Sequence, residues 1–198
     1  TTRPVLSGVY FYTEKNILKL VATDSYRLAE KQVKLDNAPE KDLECIIPAR
    51  TLLELERILS GRYEKQAVEV SISKNQVMFN IDGVELTSRL IEGKFPDYTK
   101  IIPKTTKTKL TVPVGKLNNA AKRVNLFARE NNNSIKITAT NDGKLQVSTD
   151  ETRVGEERAE VEIKMTGENN KAALNSQYLL DVLSRLKENV IIGMDEKL

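Results

Sequence analysis

One pattern constrains this chain more than any other, and it occurs three times: an apolar strand, a short cap, then an amphipathic helix. It starts at "CIIPARTLLEL" from Cys45, "LTVPVGKLNNA" from Leu110 and "AALNSQYLLDV" from Ala172. Each start falls about 65 residues after the one before, a period that implies a duplicated β-α-β-β-β module with one helix and several strands per unit. The simpler reading is that any α+β protein contains strand-to-helix steps. Both readings give an α+β fold class, because strand periodicity and helix periodicity alternate along the whole chain.

Residues 5–12, 17–23, 28–35 and 43–47 read as strands. In "PARTLLELERILSGR" Pro48 suits a helix start, Leu52, Leu55, Ile58 and Leu59 share one face, and Gly61 ends the helix. Strands follow near 67–73, 76–81 and 84–90, with turns at Lys74-Asn75 and Asp82-Gly83. The segment 92–109, "EGKFPDYTKIIPKTTKTK", reads as a linker from its prolines, glycine and lysines. A second helix then puts Leu117, Ala120, Ala121, Val124 and either Phe127 or Ala128 on its core face. Strands near 134–140 and 144–149 flank Asn141-Asp142-Gly143, a strong turn signal. Residues 157–165 alternate like one half-exposed strand, "ALNSQYLLDVLSRLKE" reads as a third helix, and "NVIIGM" opens a strand.

Composition narrows the function. A chain of 198 residues, 39% hydrophobic and 30% charged, is a soluble globular protein of one large domain or two ordinary ones. No apolar run approaches the roughly 18 residues of a membrane span, and no leader is visible. The opening Thr1-Thr2-Arg3, without Met, suggests that something lies upstream. There is no histidine, which removes the usual general base, triad partner and commonest zinc ligand. GxxxxGK[ST], GxGxxG and GxSxG are all absent. The acidic stretch "STDETRVGEERAEVE" mixes its carboxylates with arginines at strand alternation and reads as a solvated outer strand. No catalytic residue, metal site or cofactor is therefore expected. The single Cys45 lies in an apolar run and reads as a buried free thiol, which fits a reducing cytoplasm.

Two surfaces remain to be explained. Off its core face the second helix carries Lys116, Asn118, Asn119, Lys122, Arg123, Asn125 and Arg129, with no acid before Glu130. Solvated helices usually mix both signs, so this face reads either as a weak, sequence-independent contact with duplex phosphates or as a plain basic surface. The first helix, with Arg50, Arg57 and Arg62 beside Glu54 and Glu56, carries a weaker signal. The second surface is the hinge of "LVATDSYRLAEKQ", where Tyr26, Arg27 and Leu28 sit together at one hairpin corner. Either these are ordinary strand residues or the corner is one wall of a binding site.

Four stretches, "VATDSYRLA", "IIPARTLLEL", "SRLIEGKFPDYTKIIP" and "ALNSQYLLDVL", together resemble the bacterial DNA polymerase III β subunit family, the sliding clamps. They match in order and spacing across nearly the whole chain. The resemblance implies a DNA-clamp fold with helices on the inner face and antiparallel sheets outside. It also implies three similar domains per subunit and a head-to-tail homodimeric ring around duplex DNA. Residues 1–102 would be the middle domain without its opening strand and helix. Residues 103–198 would be the C-terminal domain without its final strands and tail, so the chain reads as part of a longer subunit that does not close a ring alone.

The resemblance further implies a non-catalytic, cytoplasmic processivity factor that docks polymerase, clamp loader and repair proteins through short peptides. In the family, the peptide pocket lies between the middle and C-terminal domains. Its positions here are Leu6, Thr23, Ser25, Tyr26, Arg27 and Leu28, then Pro96, Lys100 and Ile101, then Asn132, Asn175 and Tyr178. Tyr26 stands where histidine is common, and Asn132 where an apolar or aromatic residue may stand in the family. For DNA, the resemblance assigns the loop from Thr1 to Val5 with Arg3, and Arg50 and Thr51. The helix face adds Lys116, Lys122 and Arg123, while Leu126 and Phe127 match a subunit-interface patch. The rival reading is a protein-interaction module that uses the Arg27 corner and has no DNA role.

Overall fold

A computed structural model describes residues 3–61, 63, 66–150 and 155–195. The chain divides into two compact units after Asp97.

The first unit opens with a 3-10 turn, Pro4–Ser7, followed by β1 (Gly8–Glu14), β2 (Ile17–Thr23), β3 (Leu28–Lys34) and β4 (Glu44–Pro48). These strands form one antiparallel sheet in the order β3-β2-β1-β4. Helix α1 (Ala49–Leu59) leads to β5 (Glu69–Ile72), β6 (Gln76–Ile81) and β7 (Val84–Arg89), a three-stranded antiparallel sheet. Phe11, Cys45, Ile47, Val77, Phe79 and Ile81 are buried together, with Leu52, Leu55, Ile58 and Leu59 of α1 packed on them. The Asp82-Gly83 turn has positive φ at both residues, +50° and +84°, as a two-residue hairpin requires.

The strand expected over 5–12 begins only at Gly8. Pro4 cannot donate to a ladder, Leu6 N donates to Arg3 O, and Ser7 Oγ donates to Pro4 O at 2.7 Å, which curls the segment instead. Gly8 itself is a close-approach position: a Cβ there would lie 2.6 Å from Ile46 Cγ2 and 2.8 Å from Ile47 O.

The second unit runs β8 (Thr108–Pro113), α2 (Val114–Ala128), a 3-10 turn (Arg129–Asn131), β9 (Ser134–Thr140) and β10 (Lys144–Ser148). It continues with β11 (Arg158–Glu162), β12 (Lys164–Gly167), β13 (Asn170–Asn175), α3 (Ser176–Leu183) and β14 (Asn189–Met194). The sheet order β11-β10-β9-β13 repeats β3-β2-β1-β4, and α3 follows β13 as α1 follows β4. This duplication relates β1 at Gly8 to β9 at Ser134, about twice the spacing of the three strand-to-helix steps read from the sequence. Of the two candidates for the core face of α2, Ala128 is fully buried and Phe127 only half-buried.

Three expectations need correction. Residues 157–165 are two strands in different sheets: β11 pairs with β10, while β12 pairs with β8. Between them Ile163 donates its N–H to Gly143 O and packs on the core, so apolar alternation runs unbroken through the switch and hides it. The third helix stops at Leu183, where Ser184 N bonds back to Leu180 O. The stretch read as a linker is partly core, because Phe95 and Tyr98 are buried and Phe95 stacks on Tyr10 with ring centroids 5.0 Å apart.

Candidate functional site

The corner between β2 and β3 is built by Asp24. Thr23 and Leu28 are paired across the ladder, leaving Asp24, Ser25, Tyr26 and Arg27 as the loop. Asp24 Oδ1 accepts the backbone N–H groups of Tyr26 and Arg27, each at 3.0 Å, and Oδ2 accepts from Arg27 Nε, also at 3.0 Å. Thr23 Oγ1 donates to Arg27 O at 2.7 Å and accepts from Ser25 N at 3.1 Å. Ser25 takes φ +79°. Desolvation pulls the Asp24 carboxyl upward, but the two backbone N–H groups and the Arg27 guanidinium outweigh it and hold it below the usual carboxylate range. The loop fixes where Arg27 points and leaves Tyr26 83% exposed. Leu6 and Leu28 are half-buried and Pro96 is exposed. The Asp at a hairpin corner was readable as a turn residue; that its second oxygen orients Arg27 was not.

Apart from this corner, the first unit holds a cleft of about 300 Å³ lined by Tyr10, Glu44, Cys45, Lys74, Glu92 and Phe95, among others. Tyr10 OH donates to Glu44 Oε1 at 3.0 Å, and burial together with that carboxylate pushes the phenol up to about 12. Burial, with Glu44 nearby, pushes the Cys45 thiol up to about 11, so it is a protonated, buried free thiol.

In the second unit, Asn132, Asn175 and Tyr178 come together around the start of α3. Asn175 caps the helix, its Oδ1 accepting from Gln177 N at 2.8 Å, and its Nδ2 donates to Asn132 O at 3.4 Å. Asn132 and Asn133 both have left-handed backbone, and Ser176 N donates to Asn133 O at 2.8 Å. Asn125 of α2 completes the arrangement. It is 6% exposed, and its Oδ1 accepts from Ser176 Oγ at 2.6 Å and Gln177 Nε2 at 3.1 Å. The solvent-facing assignment of Asn125 is thus wrong: it is a buried acceptor that locks α3 against α2. Lys100 and Ile101 lie in a turn where Ile101 N donates to Tyr98 O; Ile101 is 70% exposed.

The candidate phosphate-facing residues divide. Arg3 and Arg50 are exposed, whereas Thr51 is buried and donates its hydroxyl to Ser88 Oγ at 2.8 Å, so it cannot offer that proton to a phosphate. Thr1, Thr2 and Arg62 lie outside the described residues. The acid-free character of α2 holds for its own sequence but not for its surface. Arg123 donates Nε and Nη2 to Glu157 Oε1 at 3.1 and 2.7 Å, and Lys116 Nζ reaches Glu162 Oε2 at 3.2 Å. Lys122 is exposed and makes no ion pair among the described residues. Leu126 is 61% exposed and Phe127 half-buried. Among the described residues there is no cluster able to hold a metal and no helix long and apolar enough to cross a membrane.

Two α+β units whose four-stranded sheets share one strand order, each carrying part of the residue set that the clamp resemblance marks, define a clamp-type chain. Residues 1–97 match the family model of the DNA polymerase III beta subunit, central domain, and residues 99–193 that of its C-terminal domain. The chain belongs to the DNA polymerase III beta subunit family. It is 34% identical over 191 residues to the beta sliding clamp of Staphylococcus aureus, covering 96% of this chain and 50% of that one. Its fold superposes with a TM-score of 0.90 on the DNA polymerase sliding clamp of Bacillus subtilis, at 32% identity, covering 98% of this chain and 51% of the other. The Pseudomonas aeruginosa sliding clamp bound to griselimycin gives 0.89 at 26% identity, covering 97% and 52%. The chain spans about half the length of the curated relatives it matches, 50% of the Staphylococcus aureus protein.

Proposed function

We propose that this chain is about half of a DNA polymerase processivity subunit: a cytoplasmic, non-catalytic clamp that encircles duplex DNA as a homodimeric ring. It docks polymerase, clamp loader and repair proteins through short peptides. Membership of the beta subunit family across both domains carries this reading. For the docking surface, the support is the Asp24-held Arg27 in the first unit and the capped, Asn125-braced start of α3 with Tyr178 in the second. Preorganised polar groups beside apolar side chains such as Leu6 and Leu28 are what a small peptide site needs. Ring closure would supply retention, so the DNA-facing cations need only weak contacts.

Retention of the full-length subunit on circular versus linear duplex tests the clamp. Escape from linear but not circular DNA is the expected result; equal weak binding to both overturns it. Griselimycin, which occupies the Pseudomonas aeruginosa relative, probes the docking surface. Arg27→Ala and Tyr178→Ala should each weaken its binding several-fold, and unchanged affinity in both would show the site to be misplaced. The rival reading, an interaction module with no DNA role, draws on the ion pairs that cover two cations of α2. It predicts peptide binding without preferential retention on circular DNA.

A further inference from the structure

The cations of α2 are matched by acids from an element far along the chain. Arg123 places two N–H groups on one oxygen of Glu157, and the Glu157 backbone is itself tied to Thr149: its N–H donates to Thr149 Oγ1, and its carbonyl accepts from Thr149 N. The Glu157 side chain is only 27% exposed, whereas that of Arg123 is 62% exposed, so the acid is a fixed counter-charge beneath an accessible cation. Lys116 and Glu162 form a looser second pair, 60% and 87% exposed. Ion pairs this exposed add little to folding stability, so stability does not account for two of them along one helix. Their electrostatic consequence is larger. A cation already facing a carboxylate attracts a phosphate less and releases fewer counterions when the phosphate arrives.

We propose that Glu157 and Glu162 are charge-tuning residues that weaken the hold of the α2 face on duplex DNA, leaving Lys122 as the cation within α2 that has no ion pair among the described residues. The proposal rests on reading the chain as part of a DNA clamp. Its consequence is specific to position. Removing the acid at 157 or 162 unmasks a cation on α2, whereas removing Glu160, which pairs with Lys144 of β10, alters net charge equally without touching α2.

The test measures affinity of the 198-residue chain for a fluorescently labelled, mixed-sequence DNA duplex by anisotropy over a salt series. Glu157→Gln and Glu162→Gln should each tighten binding several-fold. Each should steepen the slope of log affinity against log salt by up to about 0.9, the increment for one more phosphate contact. Glu160→Gln should change the slope much less, and Lys122→Ala should weaken binding. If Glu157→Gln and Glu162→Gln match Glu160→Gln while Lys122→Ala still weakens binding, local tuning is overturned and the DNA reading stands. If Lys122→Ala and Arg123→Ala also leave affinity unchanged, α2 does not meet DNA and both fall. Circular dichroism melts of each variant confirm that only charge has changed.

Discussion

Asp24 receives both the backbone N–H and the guanidinium Nε of Arg27, each at 3.0 Å. One carboxylate thus shapes the hairpin corner and aims its arginine. A flexible side chain held in place loses less entropy on binding, so in the proposed docking role the bond would serve recognition more than folding.

The titration of Asp24 checks that arrangement. Its folded carboxyl lies below the ordinary value of about 3.9. A depressed pKa stabilises the fold above the unfolded value, and the contribution is lost as pH falls through the folded value. Carbon-detected NMR of the side-chain carboxyl should place its midpoint below that of an exposed aspartate, and Arg27→Ala should move it upward. A midpoint unmoved by Arg27→Ala would leave the backbone N–H groups as the sole cause.

Asn125 is a buried acceptor shared by two residues of α3. Asn125→Leu removes the shared acceptor of Ser176 Oγ and Gln177 Nε2. The Ser176 hydroxyl keeps Asn133 O at 3.1 Å and the exposed Gln177 amide turns to water, so the cost should be about 1 kcal/mol. Urea unfolding should report that loss.

Arg50 and Thr51 are neighbours with separate consequences. Thr51→Val removes the bond to Ser88 and should lower stability by about 1 kcal/mol with duplex affinity unchanged. Arg50→Ala, at an exposed position, should weaken duplex binding with little effect on melting. Anisotropy and thermal melts on the two variants separate the roles.

Cys45 should be inert in the folded protein. With a thiol pKa of about 11, roughly one molecule in ten thousand is thiolate at pH 7, and only the thiolate reacts. Modification by iodoacetamide should be slow in buffer and rapid in denaturant. Fast labelling of the native chain would contradict the burial of this residue.

Most elements were legible in the chain because their signals are local. Apolar spacing, Pro48 and Pro113 before helices, Asn175 as a cap and Asp82-Gly83 in a turn all act within a few residues. Family membership was legible for the same reason, since four local motifs recur in order. The corner residues from Thr23 to Leu28 were also visible as a group, although the role of Asp24 within it was not.

What only the tertiary structure decided depends on contacts between distant parts of the chain. The acids that cover α2 come from 34 and 46 residues away, so no count along the helix could find them. Asn125 looks like a surface residue until Ser176 and Gln177 are brought to it, and Thr51 looks available until Ser88 is placed beside it. The strand switch at Ile163 leaves alternation intact, and Phe95 and Tyr98 are core residues inside a segment whose composition reads as linker. Periodicity and capping are properties of neighbouring residues, so the sequence by itself determined the elements and their repeat. Charge compensation and polar burial depend on which residues meet in space, and that only the fold decides.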